Sequence, residues 1–201
     1  MSILETLRPR LLQAPPEVAA HDDYELTPDA PRPAPGGVKA AVLLPVVARS
    51  ESGPTILFTR RTEQLARHSG QVSFPGGRSE AGDTSAIETA LRETFEETGI
   101  APGLVTVAGH LGRYLTGTGF DIQPVVGVVA PGFVLTPDAR EVAEVFEVPL
   151  AFLLDPANRR RESRPLGGRQ RSYYAFTYRE HEIWGITAAI IVDLAQRLHD
   201  I

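Results

Sequence analysis

Three carboxylates crowd one segment of this chain. Glu93, Glu96 and Glu97 lie within residues 74–100, FPGGRSEAGDTSAIETALRETFEETGI. In a helix, about 100° of rotation per residue puts all three in one arc of roughly 100°. A like-charged i,i+4 pair such as Glu93 and Glu97 costs about 0.2–0.5 kcal/mol even when exposed. A run of acids on a helix ordinarily faces water, but a bound cation would give the repulsion a use. A donor set made only of oxygens selects hard ions, here Mg²⁺ or Mn²⁺, which in turn bind substrate phosphates. Arg92 adjoins the acids and can orient a carboxylate by pairing with it. Pro75, Gly76 and Gly77 make a tight turn just upstream, where a backbone carbonyl of Gly76 or Gly77 could join the ligand set.

Two further groups of residues could do chemistry. Residues 57–77 carry Arg60, Arg61, Arg67 and His68, and arginine gives forked, charge-assisted hydrogen bonds to phosphate oxygens. Arg159, Arg160, Arg161, Arg164, Arg169 and Arg171 surround Gly167 and Gly168, and this run reads as a mobile surface loop between strands. Downstream, Glu141 and Glu144 could take a proton from water. The five histidines are scattered without metal-ligand spacing and receive no chemistry.

The elements that must position these groups follow from periodicity. Ser85 is the N-cap of the acidic helix, because Glu88 follows at capping-box spacing. Gly99 ends the helix. Its apolar side is expected to be Ile87, Ala90, Leu91, Thr94, Phe95 and Thr98. Strands are expected over residues 38–48, 55–59, 72–74, 104–115, 122–129, 143–148, 172–178 and 182–184. Thr116, Gly117, Thr118 and Gly119 form a hairpin turn. Residues 149–154 make a short helical turn, and residues 186–198 make a closing helix. Near the start, residues 2–13 could form an amphipathic helix weakened by Pro9. Residues 14–37 are proline-rich and read as an extended surface connector. The division is therefore an N-terminal helix and proline-rich extension over residues 1–36, and a catalytic domain over 37–201. The extension packs on the domain or on a partner subunit, and a homodimer is one arrangement it allows.

Bulk properties narrow the function classes. A chain of 201 residues suffices for one domain with a good core plus an extension. The net charge of −5 argues against bulk attraction to polyanions, so no nucleic-acid partner is expected and phosphate recognition must be local. The absence of cysteine excludes disulfides, thiolate metal sites and a cysteine nucleophile, and accords with a cytoplasmic protein. No signal peptide pattern opens the chain, and no apolar run is long enough to span a bilayer.

The acidic segment resembles the Nudix box, a glycine, five residues, an acid, a spacer, then R-E-U-x-E-E-x-G-U with U apolar. Gly77, Arg92, Glu93, Glu96, Glu97, Gly99 and Ile100 match. Asp83 stands where the box has glutamate, the following spacer is one residue longer, and Thr94 replaces an apolar residue. The upstream segment resembles the signature of the coenzyme A pyrophosphatase branch of Nudix hydrolases, L-L-T-x-R-[SA]-x3-R-x3-G-x3-F-P-G-G. Leu57, Thr59, Arg61, Gly70, Phe74, Pro75, Gly76 and Gly77 match. Phe58 and Thr62 depart from it, and Ala66 occupies the second arginine position, with Arg67 and His68 as neighbouring replacements.

The resemblance implies an α/β fold, a Nudix-like α/β/α sandwich with a mixed sheet, carrying a magnesium- or manganese-dependent pyrophosphohydrolase. It implies that Glu93, Glu96 and Glu97 hold the metal, and that Arg61, Arg67, His68, Gly70, Phe74, Gly76 and Gly77 bind substrate. Arg92 would orient a carboxylate. The general base is Glu97 or Glu96 by the box, with Glu141 as a candidate from a downstream loop. The implied substrate is coenzyme A, cut to 4′-phosphopantetheine and adenosine 3′,5′-bisphosphate, and the later arginine run could clamp its 3′-phosphate. Another nucleoside diphosphate derivative, such as ADP-ribose, NADH or a dinucleoside polyphosphate, is the alternative within the family. A non-catalytic nucleotide-binding regulator fits less well, because such modules usually lose box carboxylates.

Overall fold

One ten-residue strand, buried almost continuously from residue 40 on, organises the molecule. In a computed structural model, residues 2–27, 36–50, 52–63, 70–166 and 169–199 are described. In chain order the elements are α1 (Ile3–Leu7), β1 (His21–Asp22), β2 (Val38–Val47), β3 (Thr55–Arg61), β4 (Val72–Ser73), β5 (Gly76–Arg78) and α2 (Ala86–Thr98). There follow β6 (Val105–His110), β7 (Tyr114–Leu115), β8 (Phe120–Val129), β9 (Val142–Pro149), α3 (Leu150–Leu154), β10 (Arg160–Leu166), β11 (Arg169–Tyr178), β12 (His181–Trp184) and α4 (Ile186–His199).

Strand β2 pairs with β8 in parallel over its whole length, and with β3 and β5 antiparallel. The larger sheet runs β1-β7-β8-β2-β3-β4, with β6 on β8 and β9 on β3. It is therefore mixed, as expected. Because side chains alternate across a strand, Ala41 and Leu43 of β2 meet Ala90 of α2 on one face. Leu44 and Val46 meet Ile190, Ile191 and Leu194 of α4 on the other. Two helical layers thus cover one sheet, the α/β/α sandwich. A separate antiparallel sheet, β10-β11-β12, packs its β11 and β12 against α4.

Several expectations need correction. The stretch 104–115 is not one strand. A 3₁₀ turn takes Pro102–Leu104, a register shift falls between Val107 and Gly109, and β7 begins separately at Tyr114. Gly76 and Gly77, expected only as a turn, form a strand on β2. Arg160–Leu166, expected as a mobile loop, is β10. It lacks apolar alternation, and its strand form comes from seven paired positions with β11. On α2, Phe95 is exposed rather than packed, and Glu97 is buried. The buried arc is centred near Ala90, Thr94 and Glu97, which places Phe95 roughly 130° away.

The N-terminal segment is part of this core. Ser2 caps α1 in a reciprocal capping box with Glu5, and Pro9 falls in the 3₁₀ turn that ends the helix. Leu7 and Leu11 are buried in the α4-side cluster. Leu12 bridges His110, β1 pairs with β7 in parallel, and the Arg113 guanidinium donates to the carbonyls of Pro16 and Glu17. Residues 28–35, with four of the prolines counted in the connector, lie outside the described residues.

Candidate active site

The β4–β5 turn and the start of α2 are held by local rules. The Leu43 amide donates to the Pro75 carbonyl at 2.9 Å, and Gly76 and Gly77 pair with Val42 and Ala41. Gly76 has φ +156°, and a Cβ there would lie 2.4 Å from the Ala41 carbonyl oxygen, so only glycine permits this approach. Ser85 caps α2 by accepting from the Glu88 amide at 3.2 Å. The capping box is not reciprocal: Glu88 takes the Thr84 amide instead, at 2.6 Å. Thr94 and Thr98 are buried, and their hydroxyls donate back to Ala90 and Thr94 carbonyls at 2.7 and 2.6 Å. That satisfaction explains how a threonine can stand at an apolar position of the helix.

Gly99 ends α2 in the left-handed conformation at φ +80°. Beyond it, Thr136 and Asp138 donate backbone N–H groups to the carbonyls of Thr98 and Glu97, which satisfies the helix end. The same loop carries Glu141, whose carbonyl accepts from the Thr62 amide at 2.9 Å. Glu141 is thereby tied both to the helix terminus and to the end of β3.

These supports gather the acids around two arginines. Arg92 donates twice to Asp83, at 3.1 and 2.9 Å, and also to Glu93 at 3.0 Å, Glu96 at 3.2 Å and the Arg78 carbonyl at 3.0 Å. Arg92 holds the Asp83 carboxyl far below the usual carboxylate range, aided by the Glu80 amide. Burial raises Glu93 above its ordinary value, with Arg92 opposing. Glu97 is only 5% exposed. Burial pushes its carboxyl up to about 8, against the Arg61 charge and the Gly76 amide. Arg61 reaches both Glu97 and Glu141, each at 3.8 Å, too long for tight pairs. Its Nε and the Glu97 Oε2 are buried without a hydrogen-bond partner.

The donor set suits a hard divalent ion. Glu97 keeps a buried oxygen that nothing satisfies, and a buried charge left so is costly. The Glu93 carboxylate lies against Gly77, where a Cβ would sit 2.5 Å from its oxygens. The backbone has thus left room for that carboxylate. Glu96 is more exposed and tied to Arg92 at the rim.

Other expected residues separate. Arg67 and His68 lie outside the described residues. Gly70 adopts φ +68° beside Glu63. Phe74 is buried, its ring stacked on Phe58 at 5.0 Å, and it only borders the cavity described below. Glu144 pairs with Arg60 at 3.0 Å and lies near His181 and Glu180, whose ligand atoms are within 4.8 Å of one another. One histidine therefore does belong to a cluster, contrary to expectation, although Arg60 already occupies Glu144.

A cavity of about 390 Å³ opens beside the acids, bordered by Arg61 and Gly76. Its far side is formed by Tyr173, Trp184 and Arg164 of the small sheet and by Asp23 and Leu26 of the N-terminal segment. Sequence reasoning singled out Arg164 within the arginine run but missed the rest of this wall. The aromatic strand residues carried a signal in their alternation, but the polar extension carried none.

Residues 38–177 match the NUDIX domain family, and the chain belongs to the Nudix family as a hydrolase acting on a diphosphate bond. It is 42% identical over 159 residues to an uncharacterized Nudix hydrolase NudL of Photorhabdus laumondii, covering 79% of this chain and 84% of that one. It is 43% identical over 167 residues to a NudL of Pectobacterium atrosepticum, covering 81% and 83%. A MutT/nudix family protein from Enterococcus faecalis has a similar fold, with a TM-score of 0.53 over 87% of this chain and 67% of that one, at 15% identity. Hydrolases of this family use a divalent metal ion such as Mg²⁺ or Mn²⁺. Among the described residues, no helix is long and apolar enough to cross a membrane.

Proposed function

We propose that this Nudix hydrolase cleaves the diphosphate of coenzyme A and its derivatives, releasing 4′-phosphopantetheine and adenosine 3′,5′-bisphosphate. The observation that carries the reading is Arg61. It belongs to the upstream signature that resembles the coenzyme A branch, and it stands between the buried Glu97 and Glu141 at the cavity mouth.

Glu93 and Glu97, with Glu96 at the rim, would hold Mg²⁺ or Mn²⁺, which neutralises the diphosphate and lowers the pKa of water. Arg92 fixes the direction of Glu93 and Glu96, and Asp83 fixes Arg92. Arg61 turns its donors from Glu97 and Glu141 to the phosphate oxygens, where its fork is better matched. Glu141 accepts the proton of the attacking water, because it is neither buried nor paired with Arg92. Water adds to one phosphorus, the bridging P–O bond breaks, and the leaving phosphate departs as an anion.

A substrate panel tests the reading. With Mg²⁺, coenzyme A should give the two named products at the highest kcat/KM. A preference for 3′-dephospho-coenzyme A, ADP-ribose or NADH would transfer the activity to another nucleoside diphosphate derivative.

A further inference from the structure

The arginines of residues 159–171 are sorted by their partners. Arg160 pairs with Glu162 and Glu182, Arg161 donates to the Leu26 carbonyl, and Arg159 lies over Tyr174. Arg171 is held by Asp23 at 3.4 Å and lies 4.3 Å over the Tyr24 ring. Of these five only Arg164 and Arg171 line the cavity, and of those two Arg164 has no carboxylate partner among the described residues. Its guanidinium lies 4.0 Å over the Trp184 ring and 5.5 Å from Tyr173.

Register explains the cluster. Arg164 opposes Arg171, and Trp184 opposes Ala175. Alternation then puts Arg164, Arg171, Tyr173 and Trp184 on one face of the small sheet. All four line the cavity that begins at Arg61 and Gly76. The acids on the same wall are already engaged. Asp23 takes Arg171 and the Gly117 amide, Glu25 takes His21, and Asp22 takes the Tyr24 amide. The far end of the cavity therefore presents flat rings and one uncompensated cation.

We propose that Arg164, Trp184 and Tyr173 form a subsite for a nucleoside bearing a phosphate monoester besides the diphosphate, a 3′-phosphorylated nucleoside. The base stacks in the Trp184–Tyr173–Arg164 cluster, and the edge of the Arg164 fork binds the extra phosphate. A ligand without that phosphate would leave the cation uncompensated. This deepens the coenzyme A reading and rests on it for the link to catalysis.

Trp184 is the only tryptophan of the chain, so its fluorescence reports the subsite directly. The full chain is titrated in EDTA with adenosine 3′,5′-bisphosphate and with AMP. The expected result is saturable quenching, with the bisphosphate bound about tenfold more tightly. Arg164→Gln should erase that preference, and Arg164→Lys should retain part of it, with circular dichroism confirming that both are folded. Equal affinity for the two nucleotides, a preference that survives Arg164→Gln, or unchanged fluorescence overturns the subsite. Coenzyme A hydrolysis is measured separately. Turnover without the nucleotide preference sinks the subsite alone, whereas the preference without coenzyme A turnover upholds the subsite and sinks the proposed reaction.

Discussion

Gly77→Ala separates the metal site from the fold. Gly77 has no positive φ, so alanine is tolerated by the backbone. The new methyl would sit 2.5 Å from the Glu93 carboxylate, whereas ordinary contact begins near 3.4 Å. Glu93 is the end of a flexible side chain, so it can retreat by close to an ångström. A misplacement of about 1 Å at a reacting centre costs about 100-fold, or about 2.7 kcal/mol of barrier. The expected outcome is a cooperative melt close to that of the parent, weaker Mn²⁺ binding by calorimetry, and kcat/KM lower by about two orders of magnitude. Gly76→Ala is the control with the opposite signature. Its methyl meets the backbone of Ala41 and Val42 at 2.4 and 2.6 Å, atoms that cannot move cheaply. That variant should lose about 1–3 kcal/mol or more of stability. A folded Gly77→Ala protein that binds Mn²⁺ and turns over like the parent would refute the placement of Glu93 as a ligand.

Glu97→Gln removes a proposed metal ligand and should lower turnover by about 100-fold or more, read across a Mg²⁺ titration. The same variant tests linkage in EDTA. Glu97 is raised from 4.5 to about 8, so the folded state binds the extra proton and this group's stabilisation fades as pH rises through that window. Melts of the parent should show the decline, and those of Glu97→Gln should lack that component. His21 is raised above 6.5, first by its hydrogen bond to Asp193. Its contribution is complete below 6.5 and is lost as pH climbs through the elevated value, so proteolysis near residues 14–22 should accelerate on the alkaline side, and less so in His21→Ala. Leu7 is fully buried, so Leu7→Ala should cost about 2–5 kcal/mol in urea unfolding. A negligible change would show that the N-terminal helix is dispensable.

Much of the site was legible because its rules are local. The Ser85 cap, the Gly99 stop and the spacing of Glu93 and Glu97 each depend on the helical repeat. The burial of Glu97 was not legible, because hydropathy assigns glutamate to the outside, while here Arg61 and the Gly76 turn receive it. Glu141 was named only as a candidate, because its place depends on amides of residues 136 and 138 capping a distant helix. The strand at Arg160–Leu166 was hidden for a similar reason. Its pairing partner, not its own composition, makes it extended. The core role of Leu7 and Leu11 was obscured by the polar, proline-rich stretch that follows them.

The segment before the family-matched region touches both sheets. Its β1 joins β7 of the large sheet, while the Leu26 carbonyl and the Thr27 hydroxyl hold Arg161 and Ser172 of the small one. One wall of the cavity thus comes from residues ahead of the acid-bearing helix. Changes ahead of residue 37 can reshape what the cavity admits while the acid-bearing helix stays as it is. A truncation that removes residues 22–26 accordingly strips one wall from the chamber, and comparisons of substrate preference belong on protein that keeps them.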